Sequence, residues 1–392
     1  MKNSAQPDGL GAGDSGSDAA RPFAVALLVI VLGLFLIEHF HGIFPNLMPA
    51  FQRLVDPTLY AFDPAVQNAL IGRGSVLFSV VGFLGIDVTV PVVNVAFYLV
   101  TAALGAAAVV LINRHVFSVR GLLPHLLLLA LLLLADDKPI LYLKTSWLIR
   151  HAFTVTMVAT ALRLFVLYFM LRRNYWPAVA CVAILLAVSV KSGWMIWLIL
   201  AVVIALDRPA RWPVLLAALA LALVYPLLQA LALPHGFDAG FNREAFETLA
   251  QAHPEEDNPF RIGPFAMIAA LAAGAASLWL AARLDTTPSG QLTRVVRVTL
   301  ALSAVVFIGG GLYITWGYRL LPVPAAVLLS PVRAMEVAAF LFYIMALVWI
   351  LRAPSLDAVA RLVLLVALSI FRMQVDHVSP FMGVALVLAL AA

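Results

Sequence analysis

Apolar positions along the chain fall in long unbroken runs, such as Phe23–Ile37 and Leu122–Ala135. Membrane β-strands would alternate over about ten residues, whereas continuous runs predict transmembrane α-helices. The runs predict an all-α, polytopic protein of about twelve helices, at 22–40, 89–113, 121–135, 152–171, 176–190, 194–207, 212–233, 264–282, 297–315, 335–351, 358–371 and 379–392. Several are shorter than the ~20 residues of a straight crossing, which leaves tilt or a displaced boundary for pairs such as 176–190 and 194–207. Polar stretches divide the chain into a disordered tail at 1–21 and one transmembrane domain at 22–392, with long connections at 41–88, 136–151 and 234–263. EHFHGIFPN follows the first run without a small-residue cleavage site, so that run is expected to be an uncleaved helix.

Composition reinforces this pattern. Of 392 residues, 64% are hydrophobic and 11% charged, where a soluble chain carries about 25% charged residues. The bilayer must therefore solvate much of the surface. The net charge of +5 does not indicate nucleic acid, because the Lys and Arg residues are dispersed at helix ends. Cys181 is the sole cysteine and lies in an apolar run, which excludes an internal disulfide and a thiolate metal site.

Charge also gives a direction. A cytoplasmic N-terminus sends the short basic connections inward: Arg114 with Arg120, Arg172 with Arg173, Arg208 with Arg211, Arg283 with Arg294, and Arg352 with Arg361. The three long connections and nearly all carboxylates beyond the N-terminal tail then fall outside, leaving of these only Asp207, Asp285 and Asp357 within. A functional site is expected on the outer face, where the loops have room for one.

Glu38, between Ile37 and His39, ends the first helix near His41, where contact with interfacial water is the plain alternative to a role in chemistry. In the first outer loop, apolar residues at 47, 48, 51, 54 and 55 predict an interfacial helix before Asp56. Asp56-Pro57 and Asp63-Pro64 also suit helix caps or turns. Asp136 and Asp137 precede Lys138, Lys144, Arg150 and His151; solvated loop charge stands beside a hydroxyl or metal contact for the carboxylates. Arg150 and His151 open a helix on the outer side, against the positive-inside trend.

Arg163 lies within an apolar run, where a charge faces protein or water unless it snorkels toward Arg172 and Arg173. Lys191 beside Trp194 is read in a tight outer turn. Arg333 and Glu336 can pair at i,i+3 on one helix face. Prolines 322, 324 and 331 mark a broken or re-entrant segment flanked by Arg319 and Arg333. With Arg372, near Asp376 and His377, these arginines suit a phosphate, because the planar guanidinium binds its oxygens bidentately.

The stretch Asp56-Pro57-Thr58-Leu59-Tyr60-Ala61-Phe62-Asp63-Pro64, after a first transmembrane helix and inside a long outer loop, resembles bacterial members of the GT-C superfamily. These are multipass glycosyltransferases that use polyprenyl-phosphate-linked sugars. The local match covers about ten residues, with a looser likeness of layout over most of the chain. The resemblance implies a GT-C-like helical fold in the bacterial inner membrane. It implies catalysis by a first-loop carboxylate, Asp63 before Asp56, with Glu38 nearby, and a glycan, lipid or protein acceptor. The expected substrate contacts are Asp136, Asp137, Arg150, Arg319, Arg333 and Arg372. It leaves open whether a divalent cation assists. A carboxylate base suits a sugar hydroxyl attacking C1, and the departing polyprenyl phosphate needs cationic clamps more than a general acid.

Two alternatives share the outer-face location: a transporter or flippase for a lipid-linked saccharide, and a polysaccharide polymerase or ligase. A transporter needs polar groups near mid-membrane, for which Arg163 is the main candidate. Walker A, dinucleotide, H-E-x-x-H and haem-attachment motifs do not occur, so nucleotide-driven transport has no support.

Overall fold

A computed structural model describes residues 91–119, 155–207, 212–221, 264–320 and 331–373, together with 58, 59, 84 and 260. The described residues are all-helical, without strands, and form nine helices. They are α1 (Pro91–His115), α2 (Val155–Leu171), α3 (Tyr175–Val188), α4 (Val190–Leu206), α5 (Trp212–Leu221), α6 (Pro264–Leu284), α7 (Gln291–Thr315), α8 (Met335–Arg352) and α9 (Ala358–Met373). Three are long and apolar enough to cross a membrane: Val95–His115 of α1, α7 and α8. The runs expected at 22–40, 121–135 and 379–392, and nearly all of the three long connections, lie outside the described residues.

α8 is the centre of the bundle. It is apolar around its whole circumference, and Val337 to Val348 are all buried, as a helix without a polar face must be. α6, α7 and α9 pack against it.

One end of the bundle is basic. The ends of α1 and α2 meet where Arg172 Nη1 donates to the His115 carbonyl (3.4 Å) and the His115 ring hydrogen-bonds the Tyr168 hydroxyl (3.0 Å). Asp207, just past α4 and only 2% exposed, receives Arg173, the Tyr175 hydroxyl (2.7 Å) and Arg294 (2.9 Å). Gln291 donates to both the Met170 carbonyl and Tyr175 Oη, at 3.0 Å each. These contacts bind α2, α3, α4 and α7, helices with no polar groove of their own, in one register.

The entry to α7 is capped by chemistry local to its turn. Asp285 accepts from the Thr287 and Thr293 amides at 3.1 and 2.8 Å, placing negative charge at the positive end of the helix dipole. The turn passes through left-handed residues at Ser289 and Gly290, and Arg173 Nη1 holds the Ser289 hydroxyl at 3.0 Å.

α3 and α4 are the runs expected at 176–190 and 194–207, and their shortness has a structural meaning. Tyr175 begins α3 and Asp207 follows α4, yet the two are hydrogen-bonded, so the pair is a hairpin returning to the basic end. Its legs of 14 and 17 residues rise about 21 and 25 Å, short of a ~30 Å hydrocarbon layer. The reversal occurs at extended Ser189, whose hydroxyl caps α4 by accepting from the Ser192 amide. Lys191 therefore sits in the first turn of α4 rather than in the turn expected there. Gly193 permits close packing of the legs, since a Cβ there would meet Leu186 Cδ2 at 3.0 Å and Leu185 Cγ at 3.1 Å.

Two outcomes follow. Gly193→Leu should overpack the hairpin tip and cost about 1–3 kcal/mol in detergent unfolding. Burial pushes the Asp207 carboxyl up, but hydrogen bonds from Tyr175, Arg173 and Arg294 and the Arg173 charge outweigh it and hold the pKa below its ordinary value. The folded chain thus binds fewer protons than the unfolded chain between those two values. Its contribution to stability is complete above the ordinary carboxylate value of about 4, and is lost as pH falls through the lower folded value. Unfolding followed against pH should show this acid limb in the wild type and a smaller one in Asp207→Asn.

Candidate functional site

The expected site residues fall into two groups. Asp63, Asp56, Glu38, Asp136, Asp137 and Arg150 lie outside the described residues. Arg319, Arg333 and Arg372 are placed, Arg372 by its backbone alone in the last turn of α9.

The described part of the site is built around Arg163. It stands eight residues before the end of α2, about 12 Å from the basic end, and is fully buried. Its Nε donates to the Ser192 carbonyl at 2.7 Å, at the hairpin tip, and its Nη1 is ion-paired with Glu336 Oε2. Glu336 opens α8 and is 1% exposed, and its other oxygen faces Arg333 Nη1 at 3.9 Å. One carboxylate thus lies between two guanidiniums, at a place where α2, the tip of α4 and the start of α8 converge. The i,i+3 pair expected from sequence is present, but the closer partner of Glu336 is Arg163.

This arrangement also fixes where α8 begins. The Ser303 hydroxyl donates to the Ala334 carbonyl at 2.8 Å. Ser303 is twelve residues before the end of α7, so the short 3-10 turn Pro331–Ala334 lies about 18 Å deeper than that end. The chain leaves α7 through Gly317–Arg319, and by Pro331 it has returned into the depth of the bundle. Prolines 322 and 324 of the broken or re-entrant segment expected from sequence lie outside the described residues. Irregular backbone at depth needs protein or a cavity around it, and here it carries Arg333, whose side chain is 19% exposed. Arg319 is exposed at the far end of α7, about three turns away along that helix. The two arginines expected to share a phosphate therefore stand at different depths.

Arg163 and Glu336 together were not legible as a site. Arg163 carries the sequence signal of an intramembrane charge, but its partner lies 173 residues away. Among the described residues no group of three His, Cys, Asp or Glu side chains is arranged to hold a metal ion.

Removing one member of the Arg163–Glu336 pair leaves an uncompensated buried charge. Glu336→Leu or Arg163→Met should each cost about 3–5 kcal/mol, and the double replacement Arg163→Met with Glu336→Leu should recover most of it. Additive losses in that double-variant cycle would show that the two side chains do not depend on each other. Comparison of the chain with protein-family models, with curated proteins and with solved structures gives no match.

Proposed function

We propose that this chain is a GT-C-like glycosyltransferase of the bacterial inner membrane, with about twelve membrane-embedded helices and a cytoplasmic N-terminus. It moves a sugar from a polyprenyl-phosphate donor to a glycan, lipid or protein acceptor at the outer face. The observation that carries this reading is Arg333, a partly exposed guanidinium seated deep in the bundle by Glu336. A guanidinium that is partly exposed at that depth can meet an anion beside Glu336, and a lipid-linked phosphate entering sideways from the bilayer is such an anion.

In this reading the acceptor hydroxyl attacks C1 of the donor sugar while Asp63 takes its proton. The C1–O bond to phosphate breaks and polyprenyl phosphate leaves, its charge met by Arg333. Asp56 and Glu38 support the acceptor side, Asp136, Asp137 and Arg150 contact the sugar, and Arg319 and Arg372 lie along the lipid's path. A divalent cation remains an open assistant to the carboxylates. The flippase reading loses ground because its mid-membrane charge, Arg163, is buried against Glu336 and the Ser192 carbonyl rather than lining a path.

Vesicles carrying the full chain, supplied with radiolabelled polyprenyl-phosphate hexoses, test the assignment by product analysis. Asp63→Asn should lower transfer by about 10²–10⁴-fold with normal membrane insertion; full activity in that variant would sink the assignment. Arg333→Ala should raise the donor KM, and Arg333→Lys should restore it only partly, since a point charge lacks the bidentate fork.

A further inference from the structure

Arg163 and Arg333 compete for one carboxylate, and the competition is uneven. Arg163 is fixed at two points: Nε donates to the Ser192 carbonyl at 2.7 Å, and Nη1 is ion-paired with Glu336 Oε2. Both side chains of that pair are buried. Arg333 Nη1 stands 3.9 Å from Glu336 Oε1, too far for a hydrogen bond, and its side chain is partly exposed. Glu336 is thus bound to Arg163 and only faces Arg333.

The backbone between the two facing residues is held. Arg333 lies in the 3-10 turn Pro331–Ala334 and Glu336 in the first turn of α8. The Ala334 carbonyl between them accepts from the Ser303 hydroxyl at 2.8 Å. The movable part is the Arg333 side chain, whose stem lets the guanidinium close on Glu336 or turn to another anion. A carboxylate already paired with Arg163 draws Arg333 less strongly than a bare one would, because the pair carries no net charge. Removing Arg163 would leave a buried carboxylate in need of a partner, and Arg333 is the cation already beside it.

We propose that Arg163 is a positioning residue: by holding Glu336 it keeps Arg333 available to an anion outside the pair. That the anion is the donor phosphate rests on the glycosyltransferase reading. Arg163 acts on it only through Glu336 and Arg333, being itself fully buried.

The test uses the full chain in nanodiscs and two separate readouts. One is modification of Arg333 by phenylglyoxal, an arginine-selective dicarbonyl, followed by peptide mass spectrometry. The other is the KM for a polyprenyl-phosphate hexose. Arg333 should be modified in the wild type. In R163M it should close on Glu336, so that labelling falls at least about threefold and donor KM rises about tenfold while kcat changes less. In R163M/E336L the carboxylate is gone too, and both readouts should recover to within about threefold of wild type. A merely structural Arg163 would lower the folded fraction and leave labelling and KM of the folded protein unchanged. That result overturns the proposal, as does a double variant no better than R163M. Should R163M not insert, R163K serves: its ammonium keeps the charge but lacks the fork that holds Ser192 and Glu336 together, so both readouts should move partway. Wild-type labelling and KM in R163K overturn the proposal. Labelling that follows the expected pattern, in a chain whose wild type neither transfers sugar nor retains polyprenyl phosphate, supports the positioning role and strikes the glycosyltransferase reading instead.

Discussion

A guanidinium inside an apolar helical bundle must have partners, because neither lipid nor packed aliphatic side chains can solvate it. Arg163 meets that requirement with a carboxylate from α8 and a backbone carbonyl from the tip of α4. Both partners are terminal: Glu336 lies in the first turn of α8 and Ser192 in the first turn of α4. A side chain in mid-helix therefore determines where two other helices start. The depth of the α3–α4 hairpin and the re-entry of the chain at Pro331 both follow from satisfying this one charge.

The rest of the bundle has little else to set register. Helices made of Leu, Val, Ala and Ile slide past one another at small cost in lipid, where no hydrophobic force drives them together. Here two polar layers pin them. The deep layer joins α2, α4 and α8 through Arg163 and Glu336, with α7 tied in through Ser303 and the Ala334 carbonyl. The layer at the basic end joins α2, α3, α4 and α7 through Asp207 and Gln291. α2, α4 and α7 belong to both layers, which fixes their axial positions twice, and α8 is then held by its buried apolar surface and the single ion pair at its start.

Helix positions were readable in the sequence wherever apolar runs were long, and the boundaries of α2, α6, α8 and α9 fall within about three residues of expectation. α7 begins at Gln291, six residues before its expected start, because Thr293, Arg294 and Arg297 hid its first two turns. Asp285 receives the Thr293 amide and Asp207 the Arg294 side chain, which settles that first turn as helix. The hairpin marks another limit of the pattern: apolarity reports burial or lipid contact, but it does not report whether a run crosses. Arg333–Glu336 was legible because i,i+3 geometry is local, whereas Arg163–Glu336 depends on tertiary contact that no spacing encodes. Asp207 looked like one charge in a short connector, although it organises four helices.

The same distinction changes how the basic end should be understood. Counting Lys and Arg at helix ends treats each as a vote for orientation, but the structure assigns them different work. Arg173 and Arg294 neutralise a buried carboxylate, so part of their charge is spent inside the protein. Arg283, Arg352 and Arg361 have no carboxylate partner among the described residues and keep theirs for the surroundings. An even count therefore understates the ends of α6 and α8 and the start of α9, where these three arginines lie. On the α2–α4–α7 side Asp207 cancels one of the two charges of Arg173 and Arg294, and those same charges brace the fold.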